Sequence, residues 1–310
     1  LCSPPVGSRC PNFPNCLAQG IVLAARGVTI HLYDVSPIAL ERAMATLAGE
    51  TPNLVATGEL PRAALAASER VFPTPSLASA VADAWLVIET VPERLELKRA
   101  VFAELSSLAA PETILATNSS SYRSRLLADV TCHPERLLNT HFYGRPWRRP
   151  AVELMSCGMT EPALLDRLAA FFRASGLEPF IARAESTGLI FNRIWRAVKR
   201  ESLRVVEEGI ATPEEVDRLW EIVMGTERMG PFARMDRVGL DVVLDIERTY
   251  WSESGDPDDQ PPRLLEAFVE QGHLGMKTGK GFYRYGSEPD ASNDHGTESR
   301  PIGAGDVTVS

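Results

Sequence analysis

Cationic side chains are in short supply: 32 Lys and Arg against 41 Asp and Glu leave a formal charge of −9 over 310 residues. So acidic a chain repels phosphate backbones and anionic lipid surfaces, and no nucleic-acid partner is expected. Long apolar runs are missing too. The stretch from Leu17 to Ala25 is broken by Gln19 and closed by Arg26, short of the roughly 20 residues that a membrane span requires. Nor does the start carry a basic region followed by a continuous apolar one, so the sequence reads as cytoplasmic or otherwise intracellular, not secreted. Cysteine is scarce and odd in number, five in all. Three of these fall in Leu1–Cys16 beside four Pro, spaced C-x7-C-x5-C. That pattern matches no zinc ligand set and has no His pair near it, so no metal site is expected.

What is present suffices for a folded protein. Apolar residues make up 44% and charged ones 24%, and the length suggests about two domains. Val28, Ile30 and Leu32 alternate with Thr29, His31 and Tyr33, which predicts a strand over Val28–Asp34, with Ser36-Pro37 then opening a helix. Further strands are predicted over Trp85–Glu89, Thr113–Ala116, Leu137–Phe142, Ala151–Met155 and Glu178–Ala182, with helices over Pro92–Leu108 and Glu161–Ser175. Strands alternating with helices imply βαβ units and a Rossmann-like, doubly wound, mainly parallel sheet. After about Ala184 the period is helical: Leu189–Glu208 stopped by Gly209, a capped start at Thr212-Pro-Glu-Glu215, then Leu240–Tyr250 and Leu264–Gln271. The expectation is an α/β domain over 1–184, with 1–19 compositionally aberrant, and an all-helical domain over 185–285. The tail over 286–310, rich in Ser, Gly, Asp, Glu and Pro, is predicted to be disordered.

Doubly wound sheets bind ligands at the carboxyl ends of their strands. Asp34 ends a predicted strand, where a carboxylate can hold the ribose hydroxyls of an adenine dinucleotide, although an acid there can equally be a helix cap beside Ser36. Asn118-Ser-Ser-Ser121 follows another strand, as a plain turn or as ligand-facing hydroxyls. His141 ends the next, either structural or placed for proton exchange. Glu153 lies in the otherwise apolar strand Val152-Glu-Leu-Met155. A buried carboxylate there needs a partner, and the nearest suitable one is a His on the adjoining strand. Such a pair fixes the imidazole tautomer and leaves its other nitrogen to take a substrate proton, which on a dinucleotide fold means dehydrogenation.

From about Gly27 to Tyr285 the chain resembles the 3-hydroxyacyl-CoA dehydrogenases. The resemblance rests on Leu86-Val-Ile-Glu-Thr-Val-Pro-Glu93 with Lys98, Asn118-Ser-Ser-Ser121, His141 with Glu153, and Gly188-Leu-Ile-Phe-Asn-Arg193. It continues through Met229-Gly-Pro-Phe232, Asp236-Arg-Val-Gly-Leu-Asp241 and Leu274-Gly-Met-Lys-Thr-Gly-Lys-Gly-Phe-Tyr283. It implies an NAD-binding first domain and a helical dimerisation domain, hence a homodimer. It implies His141 as general base for the 3-hydroxyl, Glu153 as its orienting partner, and Ser120 and Asn192 as donors to substrate oxygens. Asp34, Glu93, Lys98 and Asn118 would serve NAD, and the substrate would be a 3-hydroxyacyl-CoA of fatty acid metabolism. Pro150-Ala-Val-Glu153 also resembles the gulonate-type dehydrogenases of free 3-hydroxy acids. Lys277-Thr-Gly-Lys280 resembles a phosphate loop but lacks the preceding Gly spacing and strand, and reads as a closing turn.

Two departures stand out. The family opens with a strand and G-x-G-x-x-G, whose amides hold the cofactor pyrophosphate. Here Cys10-Pro-Asn-Phe-Pro-Asn-Cys16 stands in its place. Two lost charge-assisted hydrogen bonds, at about 1.5–3 kcal/mol each, would weaken NAD binding by roughly 10²- to 10⁴-fold. The second departure is Gly144-Arg-Pro-Trp-Arg-Arg149 after His141. Both read as local reading-frame damage, since the flanking matches resume in register. With the turn gone, a non-catalytic dimer that binds acyl-CoA is the competing expectation. Chain-length selection is assigned to the loop between Asp34 and Val71 and to the domain cleft.

Overall fold

The computed structural model describes residues 15–225 and 229–285. The readings on Cys2, Cys10 and the tail after Gly286 lie outside the described residues. In chain order the elements are α1 (Asn15–Ala24), β1 (Ile30–Leu32), α2 (Pro37–Ala56), α3 (Ala63–Ala67), β2 (Val71–Pro73), α4 (Leu77–Val81) and β3 (Leu86–Glu89). Then come α5 (Leu95–Leu108), β4 (Ile114–Thr117), β5 (Leu137–Phe142), β6 (Ala151–Ser156), α6 (Pro162–Ala174) and β7 (Glu178–Ala182). The chain continues as α7 (Phe191–Glu207), α8 (Pro213–Met224), α9 (Pro231–Val238), α10 (Leu240–Ser254) and α11 (Arg263–Glu270).

The expected α/β architecture followed by helices is present. β1 and β2 pair in parallel, and a second sheet runs β3-β4-β5-β6-β7. Every neighbouring pair in that sheet is parallel except β5 and β6. The link from Tyr143 to Pro150 is too short for a crossover helix, so the two strands must run antiparallel. Ser36 starts α2 as predicted: its hydroxyl accepts from the Ala39 N–H at 3.2 Å, with Pro37 in the first turn.

Two expectations are corrected. The stretch between Asp34 and Val71 is not a loop but α2, α3 and a 3₁₀ turn over Ser68–Arg70. Its Ala- and Leu-rich composition carries the helices once Ser36 has capped the first. Residues 15–19, grouped with the aberrant start on composition, belong to α1. Leu17, Ala18 and Ile21 are buried there against Leu32, Leu47 and Val71.

The chain divides into two compact units. Residues up to Ala211 with Asp245–Pro262 form the first, and Thr212–Leu244 with residues from Arg263 on form the second. The change from strands to helices near Ala184 therefore does not coincide with the division into units: α7 falls in the first.

Within the first unit an ionic cluster ties α7 to α10. Glu247, 1% exposed, accepts from Arg196 Nε and Arg200 Nη1, each at 2.9 Å, while the buried Lys199 ammonium lies 3.8 Å away. Burial pushes the Lys199 pKa down against the pull of Glu247. With three cations around one carboxylate, Lys199 adds little attraction for its desolvation. Lys199→Met is expected to leave stability unchanged or raise it by about 1–4 kcal/mol in urea unfolding. A loss of stability would mean that Glu247 depends on the lysine.

In the second unit two buried carboxylates organise the turns. Asp217 accepts from the N–H groups of Phe232 and Ala233 at the start of α9, at 2.8 and 2.7 Å, and from the Tyr283 hydroxyl at 2.9 Å. Asp236 accepts from the Phe282 and Tyr283 N–H groups and the Tyr285 hydroxyl, all at 2.9 Å. A Cβ on Gly230 would collide with Asp217. Lys277-Thr-Gly-Lys280 is a closing turn: Met276–Thr278 is one 3₁₀ turn, Gly279 has φ +74°, and Lys277 pairs with Asp241.

Candidate active site

The site grows from the β5–β6 hairpin. Antiparallel register makes His141 and Glu153 direct partners across the two strands, so their side chains share a face. Both are buried, at 7% and 2% exposure. His141 Nδ1 lies 3.4 Å from Glu153 Oε2. The other carboxylate oxygen, Oε1, accepts from the N–H groups of Ile190 and Phe191 at 2.9 and 3.1 Å. These are free donors of the first turn of α7, where the helix dipole also favours negative charge.

Leu189 sets up that delivery. It is the non-glycine residue with positive φ, +54° among the described residues, and follows Gly188 at φ +76°. A Cβ on Gly188 would overlap the Tyr250 hydroxyl, which donates to Thr187 O at 2.9 Å. Left-handed backbone at a bulky residue costs about 1–3 kcal/mol and persists where the surroundings impose it. Here it turns two N–H groups onto the carboxylate.

Burial raises the Glu153 pKa, but the bonds from His141, Tyr143, Phe191 and Ile190 outweigh it and hold the carboxyl below its ordinary range. The depressed value makes the folded state favour the ionised form. The stability this supplies is complete above the unfolded pKa, about 4.3, and is lost as the pH falls through the lower folded value.

Asn118 joins this hairpin to its neighbours. Its Oδ1 accepts from the Phe142 N–H at 3.0 Å and from Gln19 Nε2 of α1 at 3.1 Å. The Ser loop therefore sits beside His141. Asn192 Nδ2, one residue into α7, donates to Ser120 O at 3.3 Å, bringing these two expected substrate contacts together. Ser119 is spent on structure: its hydroxyl donates to Glu93 Oε1 at 2.5 Å and accepts from the Tyr122 N–H at 2.8 Å.

Lys98, expected beside the cofactor, is 1% exposed. Its ammonium donates to Glu89 Oε1 at 2.9 Å and Val91 O at 3.3 Å, and lies 3.2 Å from Glu93 Oε2. Through that contact it holds Glu93 in place. Glu89 went unnoticed in the sequence although it is fully buried and also accepts from Thr117 Oγ1 and Val91 N at 2.7 and 2.6 Å. Glu89 closes an apolar strand as Glu153 sits within one, and the same demand for a partner could have flagged it. Tyr143, two residues after His141, was also missed; its hydroxyl donates to Glu153 Oε2. Asp34 follows β1 and accepts from the Ser36 N–H at 2.8 Å, leaving the capping of α2 to Ser36.

The unexpected loop after Tyr143 is anchored. Arg148 donates to both oxygens of Glu59, with Nε at 2.8 Å and Nη2 at 2.5 Å, and Trp147 Nε1 reaches the same carboxylate at 3.3 Å. Asp34, Glu89 with Glu93, and Asn118 stand at the carboxyl ends of β1, β3 and β4, the place a dinucleotide takes on parallel strands. These residues fit NAD on its ribose and nicotinamide sides; of the segment that stands in place of the family's pyrophosphate turn, residues 10–14 lie outside the described residues and Asn15 and Cys16 open α1. Among the described residues, no helix is long and apolar enough to cross a membrane.

Residues 17–186 match the family model described as 3-hydroxyacyl-CoA dehydrogenase, NAD binding domain, and residues 188–285 match that of its C-terminal domain. The chain is 31% identical over 269 residues to 5-formyl-3-hydroxy-2-methylpyridine 4-carboxylate 5-dehydrogenase of Mesorhizobium japonicum, covering 86% of each. It is 33% identical over 274 residues to 3-hydroxybutyryl-CoA dehydrogenase of Bradyrhizobium diazoefficiens, covering 86% of this chain and 91% of the other. Among solved structures, (S)-3-hydroxybutyryl-CoA dehydrogenase of Ralstonia eutropha superposes with a TM-score of 0.80 at 29% identity, over 87% of this chain and 95% of that one.

Proposed function

Since the chain belongs to the 3-hydroxyacyl-CoA dehydrogenase family, with an NAD-binding domain first and a helical domain after it, we propose that it oxidises a 3-hydroxyacyl-CoA to the 3-oxoacyl-CoA in intracellular fatty acid metabolism. The observation that carries the reading is the buried pair of His141 and Glu153, cross-strand partners at 3.4 Å. Glu153 keeps the Nδ1 proton in place, so Nε2 of the neutral imidazole accepts the proton of the 3-hydroxyl. The helix N-terminus keeps Glu153 ionised, which stabilises the imidazolium that results. Ser120 and Asn192 orient the substrate oxygens from the neighbouring loop and from α7. Bound NAD supplies the hydride acceptor. Glu93 and Asn118, held by Lys98 and Gln19, would hold its nicotinamide side, and Asp34 the adenosine ribose.

A second reading has its own support: the Mesorhizobium relative is named for a substrate without CoA. On that reading a free hydroxy acid or aromatic alcohol replaces the thioester. Comparing kcat/KM for 3-hydroxybutyryl-CoA and free 3-hydroxybutyrate separates them; a preference for the CoA ester is expected, and parity would favour the second. Saturating NAD should also raise the melting temperature, by about 2.7 kcal/mol of added stability at 100 times Kd. No shift at millimolar NAD would leave the non-catalytic dimer. Homodimerisation has support in the solvent-facing apolar side chains Leu219, Ile222, Val223 and Met224 of α8. Sedimentation is expected to give twice the chain mass, and Ile222→Lys with Val223→Lys to give the monomer.

A further inference from the structure

The Tyr143 hydroxyl donates to Glu153 Oε2, the oxygen that His141 Nδ1 approaches at 3.4 Å. Its ring stands edge-on to His141, with centroids 4.5 Å apart, and edge-on to Phe191 at 5.4 Å. We propose that Tyr143 is a positioning residue that lowers the basicity of His141 by sharing the Glu153 oxygen on which the imidazole depends. This rests on the reading of His141 as the general base.

The groups acting on the Glu153 carboxylate can be named from every side. From β5 comes His141, from the residue just after it Tyr143, and from the start of α7 the N–H groups of Ile190 and Phe191. Oε1 is committed to the two N–H groups. Oε2 alone is left for the imidazole, and it already accepts the phenol. Negative charge engaged by that donor is less available to an imidazolium, so sharing weakens the ion pair that a protonated His141 would make with Glu153. Burial raises the Tyr143 pKa well above its ordinary value, and the adjacent carboxylate adds to this. The phenol therefore remains a donor throughout the range in which an imidazole titrates. Tyr143 acts as a constant offset, not as a second titrating group.

The role separates from simple packing, since Phe keeps the ring contacts and deletes only the donor. The test is NMR titration of the ¹⁵N-labelled His141 imidazole in substrate-free protein, together with the pH profile of kcat/KM for alcohol oxidation. In Tyr143→Phe the imidazole pKa and the acidic limb of the profile are both expected to rise by about 0.5–1 unit, the effect of one net hydrogen bond. At a pH below the shifted limb, oxidation falls by up to about tenfold, because less base is neutral. 3-Fluorotyrosine at position 143, a stronger donor of almost the same shape, is expected to move both values down. It carries the test alone if the Phe variant does not fold. An imidazole pKa that is unmoved in both proteins, or that moves in the opposite sense, overturns the proposal. If the imidazole shifts as described but neither protein reduces NAD with a hydroxyacyl-CoA, the sharing stands and the reading of function fails.

Discussion

His141→Gln is expected to lower kcat for hydroxyacyl oxidation by about 10²- to 10⁴-fold, the usual worth of a positioned general base. The amide matches imidazole in reach and can still face Glu153, so the melting temperature should change by only a few degrees. KM should stay within a few-fold, because the proton is taken in the transition state and not on binding. Stopped-flow measurement of NADH formation checks the rate, and scanning calorimetry the fold. A variant that keeps wild-type kcat would remove His141 from the mechanism.

The other large effect concerns stability. Lys98→Ala leaves Glu89, fully buried, without its cation, with the Thr117 hydroxyl and the Val91 N–H as its remaining donors among the described residues. Breaking a buried pair from one side costs about 3–5 kcal/mol. For a unit of this size that is a fall in melting temperature of roughly 6–20 °C. Removing both charges should recover much of the loss, since Lys98→Met with Glu89→Leu replaces a desolvated pair by apolar packing of similar volume. Glu93 loses its anchor in both variants, so KM for NAD is expected to rise in each even where stability returns. A Lys98→Ala protein as stable as the wild type would show that the pair contributes nothing to the fold.

Much of the architecture was legible in the sequence because its periods were clean. Leu137–Phe142, Ala151–Met155 and Glu178–Ala182 read as strands and are strands to within a residue. The Thr212 capping box is present in full. The central pair was legible for an energetic reason: a carboxylate among apolar residues requires a partner, and register supplied His141. The same argument was not applied to Glu89, which is why the Glu89–Lys98–Glu93 cluster was seen only as two residues near a cofactor. β2 escaped because three residues ending in Pro73 carry no measurable period. Tyr143 escaped because it lies just past the strand, although the two-residue period places it on the face of His141. The motifs Met229-Gly-Pro-Phe232 and Asp236-Arg-Val-Gly-Leu-Asp241 supported the family but proved to be architectural. Asp217 and Asp236 cap turns in the second unit.

The mechanism depends on hydride leaving C3 of the substrate while His141 takes the hydroxyl proton. That is tested most directly with 3-hydroxybutyryl-CoA carrying deuterium at C3, by mass spectrometry of the cofactor recovered after incubation with the wild-type protein and with His141→Gln. The account predicts deuterated NADH from the wild type and, over the same time, almost none from the variant. Unlabelled reduced cofactor, or equal transfer by both proteins, would contradict it.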